Sequence, residues 1–227
     1  ERVKRFLVRL NTVAMIISKL DFDKLTIALI PALKIMNEAT RLNRELEKKL
    51  TGIPNKKNII HISLFQGQFR SSHLKKIGEE LAEISMHTSS LVLKFAPVLT
   101  NASTNLFWNV QSNFQLHKLH KKILASISPY REGVLPVFVD GYSHLSLVQQ
   151  QLLECYGTPH ALQNFNPHMT VYYGVGHSDL EQVKVIKPQQ QYLSGVSDKL
   201  VVGRIGYAGN LEEIFEQFQL KERNHIL

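Results

Sequence analysis

The stretch HISLFQG, His61 to Gly67, is matched in type by HMTVYYG, His168 to Gly174. Both read histidine, any residue, serine or threonine, an apolar residue, an aromatic, any residue, glycine. One copy falls in each half of the 227-residue chain. Ile59, Ile60, Ile62, Leu64 and Phe65 surround the first; Met169, Val171, Tyr172 and Tyr173 belong to the second. Apolar runs rich in such residues and ended by glycine predict strands. Side chains alternate faces along a strand. His61, Ser63 and Phe65 are therefore expected on one face, and His168, Thr170 and Tyr172 on its counterpart. Ile62, Leu64, Met169, Val171 and Tyr173 then turn to a core. Two such strands brought together make a cleft with paired imidazoles, paired hydroxyls and aromatic walls.

The short form of the pattern also occurs at His87 (HTS) and His144 (HLS), but neither is followed by the aromatic and glycine. His87 runs into SSLVLKF, and the segment after His144, SLVQQQLLE, has helical character. Both are set aside, because a motif carries weight only with its structural context.

The two motifs resemble those of the two-histidine (2H) phosphoesterase superfamily, which includes 2′-5′ RNA ligase-like proteins and cyclic nucleotide phosphodiesterases. The flanks are similar too. KLTIALIP and the helical stretch after it resemble the opening strand and helix of that family. NLFWNVQSNFQLHKLHKKI resembles the elements that open its second lobe, and FNPHMTV its second motif. The resemblance runs from about Lys24 to Leu220. It implies an α+β, two-lobed duplicated fold, with antiparallel sheets lining a central cleft and helices outside.

The rest of the chain reads consistently with a duplication. The order strand, helix, motif strand, helix, strand is expected twice, with Leu25–Ile30 and LFWNV as the opening strands. VFVDGYSHLSLVQQQLLECY is a strand-to-helix or helix-rich segment, SDLEQVKVI a short helix, KLVVGRIGYAG a closing strand, and LEEIFEQFQL a last strand or short helix. Residues 1–23 form an expected N-terminal helical extension. Residues 24–227 form one domain of two pseudo-symmetric lobes, about 24–103 and 104–227, with strands free to cross the boundary.

An apolar content of 44% with 20% charged residues is ordinary for a globular protein with a real core. A net charge of +8 favours polyanions. Cys155 is the single cysteine, so no internal disulfide and no thiolate zinc site can form. It is read as a buried bystander. No run of 18 apolar residues exists, so no membrane span is expected. A cytoplasmic monomer is expected, with secretion or a trimmed targeting segment at the basic N-terminus as the alternative.

Histidine titrates near neutrality, so one member of a pair can be neutral while the other is charged. That suits phosphodiester cleavage. One imidazole takes a proton from the attacking oxygen and the other gives one to the leaving oxygen. The resemblance implies His61 and His168 in these roles, Ser63 and Thr170 on the phosphate oxygens, and no metal or cofactor. Phe65 and Tyr172 are candidates for stacking a base. Arg204 and Lys94 are weaker candidates for phosphate. A zinc reading of His117 and His120, three apart on a helix, is disfavoured by the surrounding lysines and the lack of a nearby carboxylate. The expected substrate is an RNA or nucleotide phosphoester: a 2′,3′-cyclic phosphate, a 2′-5′ linkage or an ADP-ribose cyclic phosphate. Some members of the family join RNA ends instead. The competing expectation is an RNA-binding module that keeps the cleft and does little chemistry. A partner-binding role, with the N-terminal segment as docking helix, comes third.

Overall fold

The computed structural model describes residues 22–50, 58–102, 105–174, 183, 185–206 and 208–222. The expected N-terminal helix and most of the SDLEQVKVI segment lie outside them. The first sheet is built on β1 (Phe22–Ile30), whose last six residues are buried. It pairs antiparallel with the first motif strand, β2 (Ile62–Arg70). Its other side takes β8 (Lys199–Ile205), followed by β9 (Leu211–Gln219), giving the order β2-β1-β8-β9. LEEIFEQFQL is thus a strand, and the C-terminal part of the chain completes the sheet begun by the N-terminal part.

The second sheet repeats this plan. Its centre is β5 (Asn105–Asn109), paired with the second motif strand, β6 (His168–Tyr173). Its other side takes the interrupted strand β3 (Leu91–Lys94) and β4 (Thr100–Ala102). Ala96 N–H donates to Asn109 O at 2.9 Å and Gln111 N–H to Lys94 O at 2.7 Å, which joins β3 to β5. The outer strand is β7 (Ser194–Ser197), paired with β3. Strand exchange between the halves is therefore mutual.

The helices obey the same exchange. α1 (Leu33–Glu47) follows β1 but packs against β6 and β7. Its buried stripe, Ile35, Ala39, Leu42 and Leu46, has helical spacing. α3 (Phe114–Ile127) follows β5 but packs against β2 and against α2 (Leu74–Met86). Asn113 caps α3, accepting from Leu116 N at 2.8 Å. VFVDGYSHLSLVQQQLLECY contains no strand. It forms a short α4 (Pro136–Asp140), a turn, and α5 (Leu147–Tyr156), which begins in a Ser146/Gln149 capping box. Cys155 in α5 is exposed rather than buried, because Leu152 and Leu153 take the inward positions of that helix.

The core runs continuously between the sheets. Trp108 is fully buried, stands 4.8 Å from Phe95 and donates its indole N–H to Ala96 O at 2.8 Å. No helix among the described residues is long and apolar enough to cross a membrane.

Candidate active site

β2 and β6 are edge strands of their sheets and meet at the centre of the molecule. Both motif histidines sit at the start of these strands in matching geometry. His61 Nδ1 lies 2.7 Å from Ile59 O, and His168 Nδ1 lies 2.8 Å from Asn166 O. A carbonyl only accepts, so each ring carries its proton on Nδ1 and its lone pair on Nε2. In both cases the acceptor is the carbonyl two residues earlier, so the strand itself fixes the tautomer.

His61 is buried, and burial pushes its pKa down to about 4; the Ile59 carbonyl opposes this and the charge of His168 adds to it. Burial also lowers the pKa of His168, opposed by the Asn166 carbonyl and reinforced by the charge of His160. Phe107, on the strand beside His168, stacks on its ring at 3.7 Å and 17°. The hydroxyl of Ser63 lies 3.1 Å from His61 Nε2 and donates to it. Its oxygen accepts from Thr26 Oγ1 at 3.4 Å and Gln66 Nε2 at 3.2 Å.

The Gln66 contact departs from simple alternation. Ser63 stands opposite Ala28 and Phe65 opposite Ile27, so Leu64 is an extra residue, a β-bulge. In β6, Thr170 stands opposite Phe107 and Tyr172 opposite Leu106, so Val171 is extra at the same motif position. A bulge of one residue exchanges the faces beyond it. The expectation that Phe65 and Tyr172 form the aromatic walls is corrected by this. Phe65 is 3% exposed and packs edge-on against Phe69 at 6.0 Å. Tyr172 is 2% exposed and donates its hydroxyl to Leu50 O at 3.1 Å.

By register the sixth motif position, read from sequence as any residue, shares the face of the hydroxyl: Gln66 beside Ser63, and Tyr173, itself buried, beside Thr170. Burial pushes the Tyr173 phenol up to about 12, so it stays protonated, with the Thr170 hydrogen bond pulling the other way. The expectation that Tyr173 is a core residue holds in its burial, at 5% exposed, but the bulge puts it on the Thr170 face rather than on that of Met169. The closing glycines also differ. Gly174, at φ 76, needs the left-handed region that glycine tolerates, whereas β2 runs on through Gly67 to Arg70.

The secondary candidates fall elsewhere. Arg204 is held by Glu213 at 3.1 Å and Asp23 at 3.6 Å. Lys94 is exposed on β3. His87 is exposed and pairs with Glu83 at 2.9 Å, and His144 ends a turn before α5. His120 is buried with both ring nitrogens on backbone partners, which leaves it no lone pair for a metal. No group of three or more metal-ligating side chains is found among the described residues. Phe107 and His160 were not singled out from sequence. Phe107 was within reach, because it shares a face with Asn109, opposite His168.

No family model matches the sequence, and no curated protein matches it. The fold does have solved counterparts. Apo E. coli LigT superposes with a TM-score of 0.58 at 10% identity, over 88% of this chain and 99% of that one. TT0787 of Thermus thermophilus gives 0.59 at 12% identity, over 88% and 100%. E. coli LigT complexed with 3′-AMP gives 0.56 at 13%, over 88% and 99%. The chain thus has the α+β fold of LigT and TT0787, the antiparallel sheets and outer helices that the sequence led one to expect. At these identities the likeness establishes the fold; the chemistry must be argued from the site.

Proposed function

We propose that the protein is a metal-independent phosphodiesterase that cleaves an RNA or nucleotide phosphoester, a 2′,3′-cyclic phosphate or a 2′-5′ linkage, with His61 and His168 as general base and acid. The observation that carries the reading is the matched pair of histidines. Each has Nδ1 tied to its own strand, which leaves the lone pair on Nε2 for proton transfer (that of His61 accepts from Ser63), and the charge of His168 acts on His61. The charge of His168 acting on His61 disfavours double protonation, and an anionic phosphoester in the cleft favours the single proton that acid–base catalysis requires.

His61 is the base, because its pKa is depressed to about 4 and its Nε2 accepts. His168 is the acid: burial disfavours its charged form, and the negative charge of the bound phosphoester offsets that and favours a proton on its Nε2. Nε2 of His61 takes a proton from the attacking water as its oxygen bonds to phosphorus. The bond from phosphorus to the leaving ribose oxygen breaks, and that oxygen receives the proton from Nε2 of His168. Each transfer is worth about 10² to 10⁴ in rate. Ser63 and Thr170 donate to the non-bridging oxygens as charge builds there. The net charge of +8 supports an anionic substrate. LigT, which shares the fold, has been crystallised with 3′-AMP and with phosphate, which supports a nucleotide phosphoester here.

The test is a panel of 2′,3′-cyclic nucleotides, 2′-5′ oligoadenylates and ADP-ribose cyclic phosphate, assayed with EDTA present. Turnover that survives EDTA and is lost in both His61→Ala and His168→Ala supports the reading. Binding of RNA by the native protein without turnover of any member points instead to a binding module.

A further inference from the structure

Each bulge leaves one residue unpaired in the strand register: Leu64 in β2 and Val171 in β6. Their carbonyls are satisfied from elsewhere. Leu64 O accepts from His120 Nδ1 at 2.7 Å. Val171 O accepts from Asn43 Nδ2 at 2.7 Å. The donors come from equivalent helices, but each serves the opposite half. Asn43 lies in α1, which follows β1, and holds the bulge of the second motif. His120 lies in α3, which follows β5, and holds the bulge of the first. The two donor positions differ by one helical turn within their helices, so they occupy the same face.

His120 holds a second point as well. Its Nε2 accepts from the N–H of Leu162 at 3.0 Å. A nitrogen that receives an N–H cannot itself carry a proton, so this ring is neutral with its proton on Nδ1. Leu162 adopts φ 53, the only left-handed non-glycine conformation among the described residues, at the start of the turn that leads to His168. Such a conformation persists where its surroundings hold it. The His120 ring is also stacked at 3.9 Å and 4° on Phe165 of the same turn. One imidazole thus links the first motif's bulge to the approach of the second motif.

We infer that Asn43 and His120 are reciprocal positioning residues. Each pins a bulge in the opposite half and thereby turns the sixth motif residue, Tyr173 or Gln66, toward the site; His120 in addition registers the two halves against each other. This goes beyond the assignment of the two catalytic histidines, and its test does not depend on that assignment. The two donors satisfy the backbone carbonyls of the two extra residues, which explains how both bulges are tolerated.

The experiment uses the full chain labelled with ¹⁵N-histidine, comparing Asn43→Leu, His120→Phe and His120→Asn, which keeps an N–H donor, by NMR titration and by kinetics. The expected pattern is crossed. Asn43→Leu, in the first half, alters the titration of His168 and leaves His61 near its native value. His120→Phe raises the titration of His61 toward the ordinary value of 6.5, and His120→Asn partly restores it. If the phosphodiesterase reading holds, kcat falls about 10²-fold with KM little changed, as for a displaced catalytic group. Lower unfolding midpoints with both histidine titrations unchanged would show that the two side chains are structural only and overturn the inference. If His120→Phe does not fold, Asn43→Leu alone decides by the same criterion. An absence of turnover in the native protein overturns the function proposed above and leaves the NMR result standing.

Discussion

The Gln66 amide donates to the Ser63 hydroxyl at 3.2 Å, although the two residues are three apart in a strand. Alternation would put them on opposite faces. The bulge at Leu64 brings them together, and the corresponding bulge at Val171 brings Tyr173 to Thr170. The sixth position of each motif is therefore part of the candidate site.

Gln66→Leu removes the donor that, with Thr26, orients the Ser63 oxygen, and Tyr173→Phe removes the hydrogen bond to Thr170. Each change is expected to lower kcat/KM about tenfold, equivalent to roughly 1.4 kcal/mol of transition-state stabilisation. Global stability should move by no more than about 1 kcal/mol. Steady-state kinetics beside urea unfolding checks both halves of the expectation; an unchanged kcat/KM in both variants removes the sixth position from the site.

Phe65 and Tyr172 should behave as core residues. Phe65→Ala opens a cavity beside Phe69 and is expected to cost about 3–5 kcal/mol. Tyr172→Phe leaves Leu50 O short of a donor and is expected to cost about 1 kcal/mol. The dissociation constant of the folded protein for 3′-AMP should stay the same in both. Weaker nucleotide binding at unaltered stability would restore the base-stacking role.

Acid should destabilise the fold through two buried histidines. Burial holds His61 and His120 at about 4, below the ordinary value of 6.5. Between those values the unfolded chain binds protons that the native state refuses. Their stability contribution is therefore full above pH 6.5 and is lost as pH falls toward 4. The slope can reach about 1.4 kcal/mol per pH unit for each histidine. Urea midpoints measured across that window should fall with pH, and His61→Gln should flatten the curve. A flat native profile would show that these rings titrate normally.

Glu38 is the buried anchor of α1. Its carboxylate accepts from Arg41 Nε at 2.8 Å and from the backbone N–H of Gln189 at 2.7 Å. Burial raises its pKa, but the Arg41 and Gln189 bonds outweigh that and hold it below the ordinary value. Glu38→Leu leaves the Gln189 N–H without its acceptor, so a loss of about 1–3 kcal/mol is expected. Solvent screening at the partly exposed Arg41 keeps the ion-pair part of this small. Thermal unfolding measures it, and Glu38→Gln, which can still accept from Gln189, should lose less.

Much of this arrangement was legible in the residues. The repeated motif marked the two strands that carry the histidines and hydroxyls, and the apolar runs of β1 and β5 and the apolar stripes of the helices were plain. Other features had no local signal. LEEIFEQFQL was ambiguous because its exposed and buried residues do not alternate, and β9 contains irregular pairing with β8 at two points. VFVDGYSHLSLVQQQLLECY suggested a strand through its apolar start, but Pro136 at the first turn and the Ser146 cap made it helical.

The sequence alone marked the candidate histidines and hydroxyls and showed that they come in two matched sets, because residue type and strand spacing are local properties. Only the tertiary structure decided which face each side chain takes beyond the bulges, and that each half is completed by strands and helix donors from the other. Here each bulge has its extra carbonyl satisfied by a side chain from a distant helix. For Leu64 and Val171 those groups, His120 and Asn43, lie far away in the chain, so no reading of the motif itself could have placed Gln66 and Tyr173 at the site.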